Sequence, residues 1–401
     1  MKITAIETIR VGEFPNLLWV QVHTDEGLIG LGETFYGPEA AEAHIHGLVA
    51  PAVLGRDPCN IESIQGSLTG YVGFASASAE MRGRSAIDIA LWDILGQAAN
   101  LPLCDLLGGR VRDRIKVYNT CAGYSYVQTR PTQSTANFGL DARKGQYEDL
   151  DAFLHRPDEL ALALLEQGID AMKIWPLDYA AEASHGHWIS AADLKQGLQP
   201  FEKIRQACGD RMQVACELHS LWSRPQAIKI ARALEDYGPM WIEDPVFMDH
   251  MASIGEVARA TRSPIAVGET RGGRGDFRYL LELEALSMVI MDVTWCGGVS
   301  EARSIAAMAE AYHTPVAFHD CTGPVALTVA THLALNTRNC CLQEIVRAFY
   351  YGWYDRFVTE LPPITNGTIT VPNGAGLGTR LDPTVVERGD ATVRRTTAKN
   401  L

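Results

Sequence analysis

The sequence predicts an α/β protein: a (β/α)8-type barrel with an α+β capping domain formed by the N-terminal segment and the C-terminal tail. Three observations carry this. From about residue 115, eight short apolar runs alternate with amphipathic stretches, the rhythm of a parallel sheet built from βαβ units. Each of the last six runs ends on a charged or imidazole side chain at near-constant spacing: Glu243 follows Glu217 by 26 residues, Glu269 follows by 26, Asp292 by 23, His319 by 27 and Glu344 by 25. The first 35 residues, by contrast, read as β structure and are followed by helix.

In chain order, "ITAIETIRV" and "LLWVQVHT" are rich in β-branched and aromatic residues, Asp25 to Gly27 is a turn, and "LIGLGETF" follows. Residues 38–50 and 79–100 read as helices; in the second, Ile87, Leu91, Ile94 and Leu95 recur at helical spacing, and the glycines of "LLGGR" end the region. The eight runs are "IKVYNT", "AMKIW", "MQVACE", "PMWIE", "PIAVGE", "MVIMD", "TPVAFH" and "CCLQE". Mostly uncharged strands suit a sheet buried on both faces, and eight of them suit a closed barrel. Segments such as "SRPQAIKIARALEDYG" supply the helices between them. Residues 125–155 and 176–200 are longer, polar insertions expected over the barrel mouth, the first as a lid or an oligomer contact. In the tail, Asn366-Gly367 and Asn373-Gly374 are turn signals around a short strand expected to pack on the first domain. The expected organisation is a capping domain over 1–115, a barrel over 116–355 and a tail over 356–401.

The 401 residues carry a formal charge of −13, which argues against nucleic acid, since neutralising phosphates needs a basic face. No apolar run approaches the roughly 20 residues of a membrane span. The start, "MKITAIETIR", lacks signal-peptide architecture. Nine cysteines form no CxxC pair and read as free thiols of a reducing cytoplasm.

Three carboxylates, Glu217, Glu243 and Glu269, end successive strands, so they converge at the C-terminal mouth where barrel chemistry sits. Like charges there repel and raise one another's pKa, and burying them is costly unless a cation is shared. Oxygen-only ligands suit Mg²⁺, one per chain. Asp292 and His319 end neighbouring strands; an Asp beside a His fixes its tautomer and raises its basicity, as a general base needs. Glu344 ends the last strand and is a candidate for a substrate oxygen or the polar network. Lys173, in the second run, is a candidate to point its ammonium at an anionic substrate or, if desolvated, to act as a base, and His219, two residues past Glu217, is a candidate proton donor.

The ordered set of Lys173 in "MKIW", Glu217 with His219, Glu243 in "WIEDP", Glu269 in "VGET", Asp292 in "MDVTWCGG", His319 in "FHD" and Glu344 in "QEI" resembles the enolase superfamily and, within it, the mandelate racemase subgroup. The resemblance spans nearly the whole chain, including "RSAIDIALWDILGQ", "LLGG" and the "GLG" tail. It implies Mg²⁺ on Glu217, Glu243 and Glu269, a small carboxylate substrate whose α-proton is removed by His319 with Asp292, Glu344 near the substrate carboxylate, and a homo-oligomer. The subgroup often has Lys-x-Lys at the second strand; here the pair is Lys173 and Trp175, and an indole cannot serve as the opposing base. "ELH" is similar to sugar-acid dehydratases such as galactonate and mannonate dehydratases, where that histidine assists departure of the 3-hydroxyl. The implied reaction is dehydration of an aldonate to a 2-keto-3-deoxy acid, in a cytoplasmic enzyme.

Other readings are an epimerase or cycloisomerase with His219 as second base, a zinc hydrolase built on His44-Ile45-His46 or His185-Gly186-His187, and a non-catalytic binding protein. Substrate contacts are expected from residues 12–16, 35–38 and 71–83, with Tyr36, Arg82, Arg84 and Trp175 as candidates.

Overall fold

The computed structural model describes residues 1–69 and 78–400. Its first three strands, β1 (Ile3–Val11), β2 (Leu17–Thr24) and β3 (Ile29–Phe35), form an antiparallel meander. The long helix Ala79–Ala99 lies on β3, and the approach is close because β3 offers no side chain there: a Cβ on Gly32 would stand 1.9 Å from the Ala86 carbonyl oxygen, and one on Gly30 2.0 Å from that of Ala90. Asn100, in the left-handed region, ends that helix.

All eight apolar runs are parallel strands: β4 (Ile115–Thr120), β5 (Ala171–Ile174), β6 (Gln213–Glu217), β7 (Ile242–Glu243), β8 (Ile265–Val267), β9 (Met288–Met291), β10 (Val316–Phe318) and β11 (Cys340–Ile345). Neighbours pair in chain order and β11 pairs with β4, closing the barrel. Its lumen is filled by Tyr118, Ala171, Ala215, Trp241, Ala266, Ile290 and Ala317. Because side chains alternate along a strand, the residue two positions further on points inward again. Those residues are Thr120, Lys173, Glu217, Glu243, Asp292 and His319, so the polar rim follows from strand parity.

The tail differs from the expectation in its first part. Asn366 and Gly367, both with positive φ, turn a hairpin of β12 (Ile364–Thr365) and β13 (Thr368–Ile369) that pairs with β4 of the barrel rather than with the capping domain. Further on, the tail does join the cap: the Leu103 amide donates to the Gly376 carbonyl, the Leu377 amide donates to Asp93, and β14 (Ala391–Thr397) pairs antiparallel with β1. All nine cysteines are free, with Cys341 exposed. Among the described residues, no helix is long and apolar enough to cross a membrane.

His332 fastens barrel, cap and tail together. It is fully buried on the helix Pro324–Asn336, takes the Cys104 amide on Nδ1 at 3.2 Å and reaches the Leu377 carbonyl with Nε2 at 3.1 Å. Burial pushes its pKa from 6.5 down to about 4, because the protonated ring would lose solvation and turn an N–H toward the Cys104 amide. A neutral imidazole in the fold and a titrating one in the unfolded chain make this contribution complete above about pH 6.5 and lost as pH falls toward 4. The loss reaches about 3 kcal/mol. Thermal melts between pH 7 and 4 should therefore show a steeper decline for the wild type than for His332→Gln, even though the variant starts lower at pH 7.

Candidate active site at the barrel mouth

The rim side chains converge. One carboxylate oxygen from each of Glu217, Glu243 and Glu269 lies within 4.8 Å of the others, and among the described residues this is the one group of potential metal ligands that does so. Glu217 and Glu243 pair directly in the β6–β7 register. Glu269 lies beyond the end of β8, on the opposite parity. Gly268, at φ 126°, makes the turn that brings it in, and a Cβ there would stand 2.6 Å from the Ile290 carbonyl oxygen. Asp244 holds this corner, taking the Gly268 amide at 3.0 Å and the Ser220 hydroxyl at 3.3 Å.

Lys173 stands among the acids, its ammonium 2.7 Å from Glu243, 3.0 Å from Glu344, 3.3 Å from Glu217 and 3.8 Å from Glu269. One positive charge does not balance four carboxylates. Burial and Glu217 push Glu243 up to about 8, and burial raises Glu217 as well. Glu344 falls below its usual range, because Lys173 and His319 outweigh its burial. Glu344 is further held by the Tyr118 hydroxyl at 2.9 Å, by Thr120 and by the Asp320 amide, so it lies beneath Lys173 in the network rather than on the cavity wall. Glu217 Oε2 is buried, and the Lys173 ammonium at 3.3 Å is shared with three other carboxylates. A hard divalent cation bound by oxygen fits this donor set, since it supplies the missing charge.

Asp292 and His319 form the expected pair, Nδ1 to Oδ2 at 2.7 Å. Thr294 and Thr322 hydroxyls fix the aspartate, and the Trp295 ring lies 5.2 Å from the imidazole. His319 Nε2 is 3.3 Å from Glu269. Burial works against a charged His319, but Glu269, Glu344 and Asp292 outweigh it and raise its pKa to about 10. His219, reached through a left-handed turn at His219 and Ser220, donates its amide to Glu217 at 2.7 Å.

A cavity of about 550 Å³ lies above these groups. Its walls include Lys173, Trp175, His219, Glu269, Trp295 and His319 from the barrel, and Tyr36 from the cap. Both insertions contribute, through Gln133, Ser134 and Thr135 from the first and Asp178, Glu182 and His185 from the second. The Thr135 amide and hydroxyl donate to Glu182, joining the insertions, and Asn16 of the cap donates to the Val127 and Arg130 carbonyls. Arg82 does not line the cavity; it donates to the Tyr36 carbonyl and stacks on Trp295 at 5.0 Å. Arg84 faces Gln65. Residues 12–16 support the lid without lining the cavity, and residues 71–77 of the expected contact loop lie outside the described residues. Among the described residues, neither HxH pair gathers a set of metal ligands: His46 bonds Thr8 and Thr396, and His187 lies near Phe247. Asp178, the buried partner of His219, is the site residue that the sequence reading missed; its one signal is an acid opening the helix after the second barrel strand.

Two family models match, "Mandelate racemase / muconate lactonizing enzyme, N-terminal domain" over residues 4–108 and "Enolase C-terminal domain-like" over 157–385. The chain belongs to the enolase superfamily. Within the superfamily it is similar to an enolase of the mandelate racemase subgroup from Agrobacterium tumefaciens, at 49% identity over the full length of both chains with a TM-score of 0.88. Among curated members, it is 31% identical to a D-galactonate dehydratase of Pectobacterium atrosepticum, covering 97% of this chain and 94% of the relative. It is 30% identical to a D-xylonate dehydratase of Haloferax volcanii, covering 96% and 88%.

In this superfamily member, Lys173 is the ammonium shared by Glu217, Glu243, Glu269 and Glu344. Lys173→Met should destabilise chelator-treated protein by about 3–5 kcal/mol, the cost of breaking a buried ion pair on one side. Urea unfolding in EDTA measures this, and an unchanged midpoint would show that the ammonium does not hold the acids together.

Proposed function

We propose that the protein is a Mg²⁺-dependent sugar-acid dehydratase that converts an aldonate to a 2-keto-3-deoxy acid. The observation that carries this reading is the placement of two histidines on opposite sides of an acidic metal site. His219 follows β6 and His319 follows β10, four strands apart in an eight-stranded ring. A base that removes a proton at one carbon and an acid that assists departure of a hydroxyl on the next carbon require such a pair. The dehydratase relatives and the hydroxyl and amide groups of the lid at Gln133, Ser134 and Thr135 support a polyol acid as substrate.

Glu217, Glu243 and Glu269 would hold the ion. Bound there, a divalent cation would supply positive charge for the substrate carboxylate and would offset the acids that otherwise keep His319 protonated. Lys173, which lines the cavity, donates to the same carboxylate. Asp292 holds the Nδ1–H of His319, so Nε2 takes the C2 proton. The electron pair of the broken C2–H bond first delocalises onto the substrate carboxylate, and in a second step forms C2=C3 as the C3–O bond breaks. His219 gives its proton to the departing hydroxyl, which leaves as water, and the enol tautomerises to the ketone.

An epimerase uses the same two-sided arrangement with His219 as second base, and the variants separate the two readings. In D₂O with Mg²⁺, the wild type should yield a keto acid detected with semicarbazide, and His319→Asn should lose both keto acid and C2 exchange, by about 10²–10⁴-fold. Retained exchange in His319→Asn would assign the base elsewhere, and a new diastereomer without keto acid would establish epimerisation.

A further inference from the structure

The two sides of the cavity are built alike. On one, β9 leads into Asp292 and Trp295, which serve His319 after β10. On the other, β5 leads into Trp175 and Asp178, which serve His219 after β6. In each case the preceding strand supplies a carboxylate to Nδ1, at 2.7 Å for His319 and 2.8 Å for His219, and an indole beside the ring, at 5.2 and 5.6 Å. Asp178 is 4% exposed, it lines the cavity, and its Oδ1 has no hydrogen-bond partner, so the carboxylate is not engaged elsewhere in the fold. His219 is held at a left-handed φ of 49° with its amide on Glu217, which leaves the ring's direction to be set by its side-chain bond.

We propose that Asp178 is the positioning residue for His219: it takes the Nδ1–H and directs Nε2 into the cavity, so that Nε2 delivers the proton to the leaving hydroxyl. This rests on the dehydration reading. It also explains how the second side works without a second lysine, since Trp175 occupies that position and an aspartate-oriented imidazole stands beside it. The proton leaves His219 Nε2, the C3–O electron pair receives it, and Asp178 keeps its hydrogen bond to Nδ1 throughout.

The test uses the full-length, Mg²⁺-loaded enzyme with a panel of pentonates and hexonates that includes D-xylonate and D-galactonate. Asp178→Asn, with its donor amide facing Nδ1, should lower kcat for keto-acid formation by about 10²–10⁴-fold with KM within about threefold. Exchange of the C2 proton, which depends on His319, should persist within about threefold. His219→Asn should show the same split, and the double variant should lose less than about threefold more than either single variant. Dehydration near the wild-type rate in Asp178→Asn, loss of exchange together with dehydration, or independent additive losses would each overturn the proposal. In ¹⁵N-histidine-labelled resting protein, the His219 Nδ1 signal, assigned with His219→Asn, should report a protonated nitrogen that changes in Asp178→Asn. Should no sugar acid in the panel yield a keto acid, the dehydration reading fails by itself. The ¹⁵N signal then decides the role of Asp178, and a signal unchanged in the variant overturns it.

Discussion

Four buried carboxylates sharing one ammonium is the constraint on which the rest of the site depends. Glu217, Glu243 and Glu344 have no solvent exposure, and Lys173 is 2% exposed. Desolvated charges of one sign at this spacing are unfavourable unless cations divide the space between them. Lys173 supplies one, and the triad has the oxygen chemistry to take another. The rise of Glu243 to about 8 and the upward shift of Glu217 are two expressions of the same unbalanced charge.

The fold meets this constraint by fixing the rim rigidly. Strand parity turns each rim residue inward, and the cap then clamps the barrel ends through buried carboxylates of its own. Glu33 on β3 takes the Ala326 amide at 2.9 Å at the start of the helix Pro324–Asn336. Asp88 takes the Ser300 amide at 2.9 Å near the start of the helix Gly298–Ala311, and Asp93 ties β3 to the tail. The free amides at these helix N-termini donate to the carboxyls and work against burial, which still raises Glu33 to about 8 and Asp88 to about 7. With the cap so fixed, Tyr36 and the Asn16-anchored lid complete the cavity without contributing to the proton-transfer pairs.

Much of this was legible in the sequence because the barrel is a periodic object. Eight apolar runs, the last six ending on polar residues at intervals of 23 to 27, encode both the strands and the inward parity of Glu217, Glu243, Asp292 and His319. Glu269 was legible from its place in that series, although its geometry depends on the Gly268 turn rather than on parity. What stayed hidden depends on contacts with no sequence period. Asp178 is 41 residues from the histidine it serves, and nothing local links them. Strand β14 has no apolar face, only "ATVRRTT" at an edge, and is held by pairing with β1 and by the bond from Thr396 to His46. Arg82 read as a substrate contact because it is a cation in a loop-proximal stretch; its aromatic and carbonyl partners take it to the back of the wall instead.

The claim that a divalent ion resolves the charge conflict is tested most directly by calorimetric titration of Mg²⁺ into chelator-treated protein, with Glu243→Gln alongside. The account predicts one site per wild-type chain and a binding isotherm that collapses in the variant. No saturable binding to the wild type, or equal binding to the variant, would contradict it.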